Sequence, residues 1–128
     1  MAGYHTDIEK KSLDNSYFRE VLFTGPNSQL VVMALKPGED IGMETHDDTD
    51  QFIRVEAGTG KAVLDGKEFT LQDGSAVVIP AGAEHNIINT SSTEPLKLYT
   101  IYTPPEHPDG TIHKTKAEAE EYERDHHH

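Results

Sequence analysis

The chain of 128 residues contains no cysteine and no tryptophan. Disulfides and thiolate metal sites are therefore excluded, and any bound metal must take nitrogen and oxygen ligands. Hydrophobic residues make up only 34% of the sequence and aromatic ones 7%, so one modest core is expected, not two. No apolar run approaches the roughly 18 residues that a membrane helix requires. The opening MAGYHTDIEKK lacks the apolar segment of a secretion signal, which makes the cytoplasm the expected compartment. Basic residues are also scarce: 11 Lys and Arg stand against 23 Asp and Glu, a formal charge of −12. That balance disfavours nucleic acid and anionic membrane as partners. It argues against a strongly anionic substrate unless a few cations converge locally, and it concentrates metal cations, although solubility alone explains it as well.

What is present is a rhythm of short apolar runs and turns. Residues 1–16 are polar and read as an arm or edge strand. Strand-like runs follow at Tyr17–Thr24, Gln29–Leu35, Ile41–His46, Gln51–Ala57, Lys61–Leu64, Glu68–Leu71, Ala76–Ile79, His85–Asn89 and Lys97–Thr103. Asp65-Gly66 is a strong hairpin signal, and Gly, Pro and Asp punctuate the rest. Turns every eight to twelve residues suggest an all-β sandwich or barrel over 17–105. Residues 106–128 change character. Thr115 and Glu118 have capping-box spacing, which predicts a short, exposed and frayed helix to about Asp125. His126, His127 and His128 read either as native residues or as the remnant of a purification tag, and no function is placed on them.

Two segments carry the candidate chemistry, Pro37–Gly60 (PGEDIGMETHDDTDQFIRVEAGTG) and Pro80–Asn89 (PAGAEHNIIN). In extended chain Glu44 and His46 point to one side, and Gln51 shares its side with Ile53 and Val55. If the apolar pair faces the core, Gln51 does too, opposite Arg54 and Glu56. Inward polar side chains are expensive unless satisfied, and a divalent metal shared by Glu44, His46, Gln51 and His85 would satisfy them. Each residue also has a plainer reading. His85 alone reads as a rim residue, Gln51 as a backbone-satisfied amide and Glu44 as solvent-facing, while His107 and His113 read as surface residues.

The spacing PG-x3-G-x-E-x-H-x4-Q-x6-G from Pro37 to Gly58, with P-x-G-x-x-H-x3-N from Pro80 to Asn89, resembles the two motifs of the cupin superfamily. The resemblance covers roughly residues 30–103. It implies a cupin-type double-stranded β-helix (a jelly-roll barrel) with a metal inside. The family's first motif commonly supplies His-x-His and a Glu, and its second a His. By position Glu44 stands where the first His would be, His46 is the second, Gln51 replaces the Glu, and His85 is the last ligand. The metal implied is Fe, Mn, Zn or Ni.

The small single-domain cupins described as mannose-6-phosphate isomerase-like resemble this chain most, through DQF at 50–52 and the tail PPEHPDGTIHKTKAEA. A phosphosugar isomerase wants Lys or Arg for the phosphate, and no basic cluster stands in the motifs. The leading expectation is thus a metal-dependent enzyme, of dioxygenase or isomerase type, acting on a small neutral or weakly polar molecule. Tyr102 or Tyr99 would handle a proton, and His107 or His113 would cover the mouth. The alternatives are the sugar isomerase and a non-catalytic binding module. A homodimer is expected in each case.

Overall fold

The computed structural model describes residues 2–126; His127 and His128 lie outside them. Along the chain run α1 (Ile8–Asp14), β1 (Arg19–Thr24), β2 (Gln29–Leu35), β3 (Asp50–Ala57), β4 (Gly60–Leu64), β5 (Lys67–Leu71), β6 (Ala76–Ile79), β7 (His85–Asn89), β8 (Leu96–Thr103), β9 (Ile112–His113) and α2 (Lys116–His126). The strands form an antiparallel sheet ordered β6-β3-β8-β2-β1-β9 and a smaller one ordered β5-β4-β7. Among the described residues no helix is long and apolar enough to cross a membrane.

Alternation explains the layering. In β3 the side chains of Gln51, Ile53 and Val55 are buried, and in β8 those of Leu96, Leu98, Thr100 and Tyr102. Residues two apart share a face, so these two central strands present one lined face to the interior. Register then sorts that face from end to end. Leu35 pairs with Leu96 and Val55 with Leu98, an apolar plug at one end. Gln29 and Gln51 both pair with Tyr102 at the other end, a polar row. Ala62, Leu71 and Ile87 of the smaller sheet close over the apolar end. Two glycines permit that closure. A Cβ on Gly58, whose φ is +98°, would sit 2.5 Å from the Pro95 carbonyl, and one on Gly60 2.6 Å from that of Ile88.

The structure departs from the sequence expectations in four places. Residues 8–14 are helical, not an arm or edge strand: Asp7 caps α1 by accepting from Lys10 N at 3.1 Å. Lys97 Nζ donates to the carbonyls of Leu13 and Asn15 at the helix's other end. Ile41–His46 is not a continuous strand. Gly42 turns to φ +106°, leaving bridges from Asp40 to Ile88 and from Glu44 to His85 beside β7. The tail adds β9, which pairs Arg19 with His113 and Glu20 with Ile112. Finally, α2 is only partly exposed, because Ala119 is buried in the core and the Tyr122 ring lies 5.3 Å from that of His113. Its capping contact from Glu118 N to Thr115 Oγ1, at 3.1 Å, is as the spacing predicts.

Candidate metal centre

Backbone pairing brings the two motif segments together. Glu44 and His85 exchange both backbone hydrogen bonds at 2.8 Å, which places their side chains on one face of the bridge. His46 is held against the same turn, its carbonyl accepting from Gly82 N at 2.8 Å. The 80–84 turn is itself clamped by carboxylates, Asp50 Oδ1 accepting from Ala81 N and Asp65 Oδ1 from Glu84 N, both at 2.8 Å. One ligand atom from each of Glu44, His46 and His85 therefore lies within 4.8 Å of the other two. His85 is buried, and the other two are partly exposed.

Each imidazole is oriented by a neighbour. His85 Nδ1 lies 3.0 Å from the Ala83 carbonyl. A carbonyl only accepts, so Nδ1 carries the proton and Nε2 keeps its lone pair for a cation. His46 Nδ1 faces Glu106 Oε2 at 3.4 Å, and its Nε2 faces Glu44 Oε2 at 3.7 Å. A carboxylate on the far nitrogen is the usual partner of a metal-binding histidine. Burial pushes the Glu106 carboxyl up, against the pull of His46.

Gln51 reaches the interior in the polar row. Its Nε2 donates to Thr100 Oγ1 at 3.0 Å, while its Oε1 is buried without a partner among the described residues. A buried carbonyl oxygen left unpaired is costly, and a cation would relieve it. The clustered donors, two imidazoles and a carboxylate, fit a borderline divalent metal.

The fold, the paired motif segments and the clustered donors point one way, and residues 31–102 match the cupin domain family. The chain belongs to the cupin family. This cupin is 48% identical over 120 residues to the uncharacterized protein YrkC of Bacillus subtilis, across 88% of this chain and 63% of that one. It therefore spans about 63% of that relative's length. An uncharacterized protein of Acanthamoeba polyphaga mimivirus is 50% identical over 113 residues, across 85% of this chain and 70% of that one. Among solved structures, that of BH2720 from Bacillus halodurans superposes with a TM-score of 0.91 at 42% identity, over 94% and 95% of the two chains.

The tyrosines expected to move protons part company in this cupin. Tyr102 is buried, with its ring 6.1 Å from that of His46 and 5.1 Å from that of His107. Burial pushes its phenol above the ordinary range, so the hydroxyl stays protonated at neutral pH. Tyr99, three residues away, lies on the opposite face of β8 and packs on Phe52 at 6.2 Å. It therefore faces away from the interior that Tyr102 shares with His46 and His107.

His107 and His113, read as surface residues, are drawn inward. His113 is buried beside Arg19, Nη1 to Nδ1 3.4 Å. His107 packs on Tyr102, and its backbone is gripped by the Gln29 side chain. Sequence reasoning missed Glu106 and Arg19 altogether. Glu106 sits beyond Pro104-Pro105 in what reads as tail. Arg19 shares strand parity with Val21, the one available sign that it turns inward.

His107 makes folding pH-dependent. Burial first, then Arg19, His46 and His113, lower its pKa from 6.5 to about 3. Between those values the unfolded chain binds a proton that the folded one refuses, so stability is complete above pH 6.5 and declines as pH falls toward 3. In metal-free protein, stability should fall by up to about 1.4 kcal/mol per pH unit more steeply in wild type than in His107→Phe. Urea unfolding at about pH 6 and pH 4 checks this, and parallel slopes would refute it.

Proposed function

We propose that this cupin is a metal-dependent enzyme acting on a small organic molecule admitted beside Glu44. The observation that carries the reading is the convergence of Glu44, His46 and His85 within 4.8 Å. Glu44, His46 and His85 would hold the ion, with Gln51 Oε1 as a further donor. When bound, such an ion supplies Lewis acidity toward an oxygen of the substrate. The protein's own groups set the surroundings. Glu106 keeps His46 oriented through Nδ1, and the Ala83 carbonyl does the same for His85. Tyr102, whose phenol burial pushes above its ordinary range, offers a hydrogen bond from the polar row and holds its proton tightly. A cleft of about 350 Å³, lined by Arg19, Gly42, Met43, Glu44 and Ala119 among others, leads to Glu44. That volume suits a small molecule.

The test is metal content measured by mass spectrometry on protein purified without a nickel column, followed by turnover assays with and without that metal. One tightly held ion per chain and metal-dependent turnover are expected. An ion held without any turnover would favour a binding module, and no ion at all would overturn the reading.

A further inference from the structure

Arg19 is 4% exposed, and among the described residues no carboxylate lies within ion-pair distance of it. A guanidinium carries five N–H donors and stays charged at any physiological pH. Here Nη1 faces His113 Nδ1 at 3.4 Å, Nε is buried without a partner among the described residues, and the Phe18 ring lies 5.3 Å from Cζ. A neutral imidazole and an aromatic face do not neutralise a buried charge. Burying a cation without an anion costs several kcal/mol, on the order of what breaking a buried ion pair costs. Arg19 lines the cleft that also holds Glu44, so the missing anion has a way in.

We propose that Arg19 is the anchor for the carboxylate of a small organic acid, whose other end extends toward Glu44. The inference deepens the proposed function and rests on it only for where that far end goes. The class follows from shape and charge. A guanidinium fork matches a planar carboxylate with two parallel hydrogen bonds. The cleft wall also carries Glu44, Glu120 and Glu123, which outnumber Arg124, with Lys116 already paired to Asp40. A phosphate monoester, with close to two negative charges, would meet repulsion there that a single carboxylate largely escapes. The chain's charge of −12 argues for a neutral substrate only on average. Arg19 is itself buried, so its pull on an anion beside it is little screened and outweighs that of carboxylates exposed elsewhere on the surface.

The experiment titrates lactate and pyruvate, and their uncharged counterparts lactamide and pyruvamide, into metal-loaded and metal-stripped protein by calorimetry. Wild type should prefer each acid to its amide by about 30-fold or more, the scale of a lost partner in a buried charge pair. Arg19→Met should bring the ratio close to one without changing metal content, and Arg19→Lys should fall between. Circular dichroism checks that the variants fold; should Arg19→Met not fold, Arg19→Lys must still reduce the preference. Equal binding of acid and amide to wild type, no binding of either acid, or a preference that survives in the variants would each overturn the assignment. If no metal binds yet the Arg19-dependent preference persists, the proposed function fails and the carboxylate site stands. If metal binds and the preference is absent, the reverse holds.

Discussion

Replacing His85 with alanine is expected to lower divalent-metal affinity by well over 100-fold while the barrel stays folded. Groups that only orient a ligand are each worth about 10- to 100-fold in affinity, and His85 is a ligand candidate itself. Its imidazole is pre-set, with Nδ1 committed to the Ala83 carbonyl and Nε2 free to coordinate. The fold should tolerate the loss because the Glu44–His85 bridge is made by backbone atoms, which alanine retains. Glu106→Gln provides the internal comparison. It keeps a partner on His46 Nδ1 but removes the negative charge, so a smaller loss of about 10-fold is expected. Competition against a coloured chelator, with zinc and with manganese(II), measures both. If His85→Ala binds as tightly as wild type, the cluster of Glu44, His46 and His85 is not where the ion sits.

Much of this site was legible because strand parity is a strict rule. Gln51 faces inward since Ile53 and Val55 do, and the two segments that resemble cupin motifs lie side by side as the resemblance implies. The Asp65-Gly66 hairpin follows from residues that accept positive φ. Legibility fails where tertiary contacts outweigh local pattern. The first helix buries Ser12 and no large apolar residue, so it leaves no amphipathic stripe to read. The stretch 41–46 alternates like a strand but breaks its ladder at Gly42. Arg19 sits in an ordinary strand, and nothing local announces that its partner on β9 is His113, 94 residues further on. Glu106 is the clearest case. Its role comes from the chain doubling back over the barrel after Pro105, and no spacing within a motif encodes that return.

That return takes its backbone hydrogen bonds from one buried side chain, Gln29, whose removal should be among the most destabilising polar substitutions in the molecule. Gln29 is 1% exposed at the start of β2. Its Nε2 donates to Thr24 Oγ1 at 2.9 Å and to the His107 carbonyl at 2.7 Å. Its Oε1 accepts from the backbone N–H groups of Glu106 and His107 at 3.2 and 3.0 Å. Gln29→Leu keeps the bulk but strands three backbone groups and a hydroxyl. Each stranded group costs about 1–3 kcal/mol when water cannot reach it. Because residues 105–109 are partly exposed and can rehydrate by lifting away, the net loss should be about 3 kcal/mol, below the simple sum. The same lifting would carry Glu106 off His46 and His107 off Tyr102. The variant should therefore show two linked effects: a lower urea midpoint, and protease cutting within 104–109 that wild type resists. Metal affinity should drop by about as much as in Glu106→Gln, since both changes deprive His46 of its orienting carboxylate. A stability loss under about 1 kcal/mol with unchanged protease resistance would mean that the segment is held by something other than Gln29.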